Sequence, residues 1–213
     1  MHKAYLFDMD GTLVDTFDLI YESFNEALKA NKKRELTKSE FDRKLFGKHI
    51  GDTLYELIGP YTEKEFQAIM DSFQAAWFKR LDKVKVFKNV PLTLQRLRAR
   101  GFKLGVVSTS PREVIEKTLR QTGIFKFFDA FIGAEDTMQK KPHCEPVVHA
   151  LNALGIGPEE AVYVGDTLYD IQAGHSTGCY TVLVLNDYNG DVLEKERPDR
   201  VVRDIAELLE NES

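Results

Sequence analysis

The stretch Ala4-Tyr5-Leu6-Phe7-Asp8-Met9-Asp10-Gly11-Thr12-Leu13 decides how the rest of the chain is read. Its first four residues are apolar or aromatic and predict a short buried strand. The strand ends in two carboxylates one residue apart, followed by a glycine. Two like charges at ~4 Å repel by about 4 kcal/mol when the effective dielectric is roughly 20. A cation, protonation of one acid, or wide separation by the turn must offset that repulsion. A bound divalent ion satisfies the acids together and makes the place reactive.

Outward from this turn, further apolar runs predict buried parallel strands at Leu104–Val107, Ala130–Ile132, Ala161–Val164 and Thr181–Val184, with Arg200–Val202 as an edge. Between them lie helical patterns: Pro91–Arg100 stops at Gly101, Arg112–Thr122 at Gly123, and Pro146–Leu154 at Gly155. This alternation predicts an α/β fold, a Rossmann-like doubly wound parallel sheet. One spacing breaks it. A βαβ unit takes roughly 30 residues, yet the stretch from the first strand to Leu104 is far longer and carries no convincing strand. It reads as helices near Phe17–Asn31, Ser39–Phe46, Asp52–Leu57 and Glu63–Leu81, broken at Gly47, Gly51 and Gly59-Pro60. The expected organisation is a catalytic core of residues 1–14 and 83–213 with a helical cap subdomain, residues 15–82, inserted beside the acidic turn. An insertion leaving the sheet there is placed to act as a lid.

At 213 residues, 43% hydrophobic and 30% charged, the composition suits a soluble globular protein. A net charge of −5 argues against general nucleic-acid binding, because phosphate backbones select basic surfaces. No apolar run is long enough to span a membrane, and Met1-His2-Lys3 leads straight into the first strand without a signal peptide. Cys144 and Cys179 have no metal-binding spacing and read as free thiols. The expectation is a cytoplasmic enzyme, monomeric or homodimeric.

In open parallel sheets, ligands bind beyond the carboxyl ends of the strands. The residues just past each strand therefore form the candidate site: Asp8 and Asp10, then Ser108-Thr109-Ser110, then Lys140-Lys141-Pro142, then Gly165-Asp166-Thr167 with Asp170. Singly, each has a plain reading. Asp166 or Asp170 can be a helix N-cap, and Ser108–Ser110 before Pro111 can cap the next helix. The five histidines show no ligand spacing. The paired-acid turn is the element that is hard to read as structural.

Taken in order, Asp8-Met9-Asp10-Gly11-Thr12, Ser108, Lys141-Pro142 and Gly165-Asp166 with Asp170 resemble the four motifs of the haloacid dehalogenase-like hydrolase superfamily. The inserted helices resemble the cap of its phosphoglycolate phosphatase and phosphoglucomutase branch. The resemblance implies that Asp8 is the nucleophile, forming an aspartyl-phosphate, and that Asp10 is the general acid and base. It implies a Mg²⁺ ion held by the Asp8 carboxylate, the Asp10 backbone carbonyl and Asp166, with Asp170 and Thr12 one layer behind. Lys141 would neutralise charge, and Ser108 with the backbone N–H groups of Met9, Asp10 and Thr109 would hold the phosphoryl oxygens. The implied substrate is a small phosphorylated metabolite, of the phosphoglycolate or sugar-phosphate kind.

Asp10 favours phosphate esters over dehalogenation, which needs no acid for its leaving group. Gly165 resembles the phosphatase pattern, where sugar phosphomutases more typically carry an acid. Cys144 departs from the family, which usually has a second proline there, so a slightly altered helix start is expected. In this branch a cap loop reads the leaving group; here it corresponds to Phe46–Asp52, with Lys48 and His49 as candidate substrate contacts. Phe73, Trp77 and Phe78 have helical spacing and read as the cap's own core. Two alternatives stay open: a sugar phosphomutase using the same nucleophile, and a phospho-accepting regulatory protein without turnover.

Overall fold

The computed structural model describes residues 1–45, 54–55, 58–186 and 189–210. The cap loop with Lys48 and His49, and most of the helix expected at Asp52–Leu57, lie outside them. The described chain divides into two compact units, Met1–Asp15 with Lys85–Ser213, and Thr16–Val84.

The first unit is built on a six-stranded sheet. Its strands are β1 (Ala4–Phe7), β4 (Lys103–Val107), β5 (Ala130–Ile132), β6 (Ala161–Gly165), β7 (Tyr180–Val184) and β8 (Arg200–Val202), ordered β5-β4-β1-β6-β7-β8. All pairs are parallel. The expected α/β sheet is therefore present, with each long apolar run a strand to within a residue at its ends. Residues of β1 and β6 are buried throughout, as a parallel strand covered on both faces requires. Helices α4 (Val90–Ala99), α5 (Arg112–Gln121), α6 (Glu145–Leu154) and α7 (Leu168–Thr177) connect the strands. Val147, Ala150, Leu151 and Leu154 of α6 pack on Ala4, Leu6, Val107, Ala161 and Tyr163 of the sheet.

The chain runs outward from β1 through β4 to β5, then crosses back to β6, β7 and β8 on the other side. The switch point lies at the carboxyl end of β1, where Phe7 is flanked by Val106 and Val164. Two short strands escaped the sequence reading. β2 (Val14–Asp15) and β3 (Lys85–Val86) form an antiparallel ribbon through which the chain leaves the sheet unit and returns. At two residues each they are too short to show a period.

The second unit contains α1 (Phe17–Ala30), α2 (Lys38–Leu45) and α3 (Glu63–Phe78). Its interior joins Phe24, Ala27, Leu28, Leu36, Phe41, Leu54 and Ile69. Phe73 meets Phe24 edge-on at 6.1 Å and lies 6.2 Å from the buried Trp77, so these aromatics are internal to this unit. A capping box starts α3: Thr62 accepts from Glu65 N–H while the Glu65 carboxylate accepts from Thr62 N–H. No helix of the described residues is long and apolar enough to cross a membrane.

Candidate active site

Asp8 is the first residue beyond β1, and its N–H still donates to Val164 O at 2.9 Å. That bond extends the β1–β6 ladder by one step and points the chain at the switch. The turn then closes on itself: Met9 O accepts from Leu13 and Val14 N–H, and Gly11 N–H donates to Val14 O. Gly11 has φ +81°, and a Cβ there would lie 2.3 Å from Asp166 Oδ2. Only glycine satisfies both the backbone and the approach. Thr12 completes this contact, its hydroxyl donating to Asp166 Oδ1 at 3.0 Å.

Asp166 leaves the end of β6, beside Asp8, and is fully buried. Asp170 follows on the first turn of α7, also fully buried. The N-cap here is Thr167 and neither aspartate: its hydroxyl accepts from Asp170 N–H, and Asp170 Oδ2 accepts from Thr167 N–H at 3.0 Å and Oγ1 at 2.6 Å. A Cβ at residue 165 would fall 2.3 Å from Asp170 Cβ, so any side chain there would displace this carboxylate.

Lys141 is the hub. Its Nζ donates to Asp8 Oδ1 at 2.6 Å, to Asp170 Oδ1 at 2.6 Å and to Val107 O at 3.2 Å. Tyr163 adds a hydroxyl bond to Asp170 Oδ1 at 3.1 Å. Both Asp170 oxygens are thus held by protein donors, Lys141 among them. The loop before Lys141 is tied down by Glu145, whose carboxylate accepts from Met138 and Gln139 N–H at 2.9 Å each. Cys144 occupies the N-cap position of α6 without a side-chain cap bond, and the lysine is in place regardless.

Ser108 continues β4 on the other side of β1, buried, with its N–H on Ile132 O. Its hydroxyl oxygen accepts from Ser110 N–H at 3.1 Å, and Ser110 Oγ reaches Asp10 Oδ2 at 3.4 Å. These serines do not cap the next helix. Pro111 is the N-cap of α5, and the Glu135 carboxylate takes the Arg112 N–H instead. Thr109 is exposed, and the Met9 side chain is buried beneath the turn.

Asp8, Asp166, Asp170, Thr12 and Lys141 are thus joined by close contacts, with Ser108 and Asp10 linked through Ser110. Lys48 and His49 lie outside the described residues. Carboxylate oxygens of Asp8, Asp166 and Asp170 fall within 4.8 Å of one another. Were all three carboxylates ionised, one ammonium would leave two negative charges over in a buried space. Burial pushes the Asp8 carboxyl up to about 7 against the pull of Lys141, and repulsion from Asp170 and Asp10 adds to it. Burial, then repulsion from Asp8 and Asp170, holds Asp166 well above the usual carboxylate range. For Lys141 burial works the other way, but Asp170 and Asp8 outweigh it and keep the ammonium charged. A hard divalent cation fits this donor set in sign, charge and ligand type.

Sequence reasoning missed Tyr163, Glu145 and Asn189, whose amide donates to Asp166 O at 2.7 Å. Tyr163 reads as one more strand aromatic, and nothing in the spelling of Glu145 or Asn189 names a distant partner. The Thr167-x-x-Asp170 capping signature was legible in principle.

Comparison with known proteins gives the family and the fold. Residues 5–184 match the haloacid dehalogenase-like hydrolase family. Pyrophosphatase PpaX of Bacillus pumilus is 34% identical over 209 residues, spanning 97% of this chain and 94% of the relative. A crystal structure of a predicted phosphoglycolate phosphatase from Haemophilus somnus superposes with a TM-score of 0.87 at 27% identity, over 98% of this chain and 97% of that one. The β-phosphoglucomutase of Clostridium difficile, at 21% identity and a TM-score of 0.83 over 98% and 93% of the two chains, shares the fold. With its motifs converging at the switch point of the sheet, the chain belongs to the haloacid dehalogenase-like hydrolases and is a phosphatase of that family.

Proposed function

We propose that the chain is a Mg²⁺-dependent phosphatase of small phosphorylated compounds that works through an aspartyl-phosphate on Asp8. The observation that carries this is Lys141, buried and clamped at 2.6 Å between Asp8 and Asp170, with Asp166 alongside. A carboxylate so placed is held for attack on an anion whose charge the same pocket must absorb.

In the first step an Asp8 oxygen attacks phosphorus in line, the new O–P bond forming as the bond to the leaving oxygen breaks. Asp10, protonated, donates its proton to that leaving oxygen, and Ser110 steadies its carboxyl. In the second step Asp10 removes a proton from water, the hydroxide attacks the phosphoryl group, and inorganic phosphate leaves with Asp8 restored. Lys141, the Ser108 hydroxyl and the backbone N–H groups of Met9, Asp10 and Thr109 hold the phosphoryl oxygens. The Asp8 and Asp166 carboxylates and the Asp10 backbone carbonyl would hold Mg²⁺, which when bound would supply a Lewis acid to offset charge on those oxygens. Asp170 and Thr12 orient Lys141 and Asp166. Lys48 and His49 are the candidates for reading the leaving group.

The Bacillus pumilus relative is named a pyrophosphatase, which supports including inorganic pyrophosphate, whose leaving group is itself phosphate, among the compounds tested. The test is turnover of pyrophosphate, phosphoglycolate, a hexose 1-phosphate and p-nitrophenyl phosphate with Mg²⁺ and with EDTA. We expect steady phosphate release that EDTA stops and Mg²⁺ restores. Metal-independent hydrolysis would contradict the site. Isomerised sugar without free phosphate would show a mutase, and a single stoichiometric phosphorylation without turnover would show a regulatory acceptor.

A further inference from the structure

The peptide joining Asp166 to Thr167 is gripped at both ends. Thr167 N–H donates to Asp170 Oδ2 at 3.0 Å, and Asp166 C=O accepts from Asn189 Nδ2 at 2.7 Å. Asn189 lies in the loop after β7 and is only 2% exposed. Its second amide hydrogen goes to Val184 O at 2.9 Å, and its Oδ1 accepts from Asn186 N–H at 2.8 Å. Two carbonyls on the nitrogen and one N–H on the oxygen fix which way the amide faces, and every polar function of the side chain is used. Asn186, anchored in this way, brings its own Nδ2 to 3.4 Å from Asp166 Oδ2. One buried side chain therefore sets the Asp166 main chain and also places the neighbour that reaches the Asp166 carboxylate.

We propose that Asn189 is a positioning residue for the ion site, holding Asp166 in the orientation in which its carboxylate meets Mg²⁺, with Asn186 as its outer arm. This deepens the phosphatase reading and rests on it for the ion. The physical reason is that Mg²⁺ tolerates little departure from octahedral geometry, so a ligand's supporting bonds are felt in affinity. Asp166 comes after the last ladder residue of β6, and side-chain bonds have to supply there what the sheet supplies upstream.

The test titrates MgCl₂ calorimetrically into metal-stripped wild-type chain, Asn189→Ala and Asn186→Ala, with turnover measured at limiting and at saturating Mg²⁺. Asn189→Ala should weaken Mg²⁺ binding by about tenfold or more, and Asn186→Ala by less. Raising Mg²⁺ to saturation should recover much of the turnover lost at limiting Mg²⁺, because the defect lies in holding the ion. Mg²⁺ affinity unchanged in Asn189→Ala, with only the melting temperature lowered, would reduce Asn189 to a structural clamp and overturn the proposal. If Asn189→Ala does not fold, Asn189→Asp decides. It keeps the acceptor for Asn186 N–H and loses the donors, while its added negative charge would by itself tighten Mg²⁺. Weaker binding then supports positioning, and unchanged or tighter binding overturns it. A wild-type chain that binds Mg²⁺ but turns over no phosphorylated compound would defeat the phosphatase reading alone. Mg²⁺-dependent turnover with Mg²⁺ affinity unchanged in Asn189→Ala would defeat the positioning role alone.

Discussion

Both units pair lysines with carboxylates on their surfaces, and among the described residues the sheet unit alone also buries such a pair. In the helical unit, Lys79 meets Glu26 at 2.7 Å with side chains 67% and 36% exposed. Arg80 joins Glu26 at 2.6 Å and Glu22 at 3.3 Å on the same surface. In the sheet unit, Lys141 meets Asp8 at 2.6 Å with side chains 5% and 9% exposed. An exposed pair can be broken at small cost, because water takes over each partner. A buried pair cannot, because the survivor is left charged in a poor solvent. A chain keeps such an arrangement where the charges themselves have work, and the proposed function gives it work: seating a cation beside the carboxylates around Lys141 together with an anionic substrate.

The sharpest way to break this contrast is Asp8→Asn. Activity should fall by roughly 10³-fold or more, because no other residue offers the attacking oxygen. Folding should survive, since one of three mutually repelling carboxylates is removed and Lys141 keeps Asp170. Retention of more than about one percent of wild-type turnover would remove Asp8 from the nucleophile's role.

Stability sharpens the contrast next. Lys141→Met should cost about 3–5 kcal/mol in denaturant unfolding, whereas Lys79→Ala should cost under ~1 kcal/mol. Equal effects would mean that burial is not what separates the two regions.

The metal and pH come third. In metal-free protein the folded Asp8 carboxyl titrates at about 7 against 3.8 for the free group. Between those values the unfolded chain has released a proton that the folded chain still holds. This group therefore favours folding fully below its unfolded value, and that contribution is lost as pH rises toward 7. Mg²⁺ competes with the same proton. The stabilisation by Mg²⁺, followed through the melting temperature, should therefore be small at pH 5 and grow toward pH 8, reaching about 2.7 kcal/mol where the ion is at a hundredfold excess over Kd. A gain independent of pH would place the ion away from Asp8.

The smallest expected effect concerns Lys48→Ala. It should reorder the ranking of substrates by kcat/KM while leaving p-nitrophenyl phosphate nearly unchanged. A uniform loss on every substrate would move Lys48 out of a selecting role.

The parallel sheet was legible because buried strands must be continuously apolar, and Ala4–Phe7, Lys103–Val107 and Ala161–Gly165 are nearly so. The acids of the site were legible for a related reason: charge at the end of such a run is too costly to be incidental. Cooperation among these residues was not legible. That Gly11 must lack a side chain because Asp166 lies against it depends on strands brought together from distant parts of the chain.

The residue order by itself determined the α/β alternation, the long helical interruption after the first strand and the identity of the acids, hydroxyls and lysine at the strand ends. These stem from local chemistry: periodicity, turn residues and the cost of burying charge. Tertiary structure decided which of those groups touch, through the register that sets Phe7 between Val106 and Val164. It also supplied the helpers, Tyr163 on Asp170 and Asn189 on Asp166, whose hydrogen bonds span 7 and 23 residues. A side chain's type states what it can donate or accept, and only the packed fold chooses its partner.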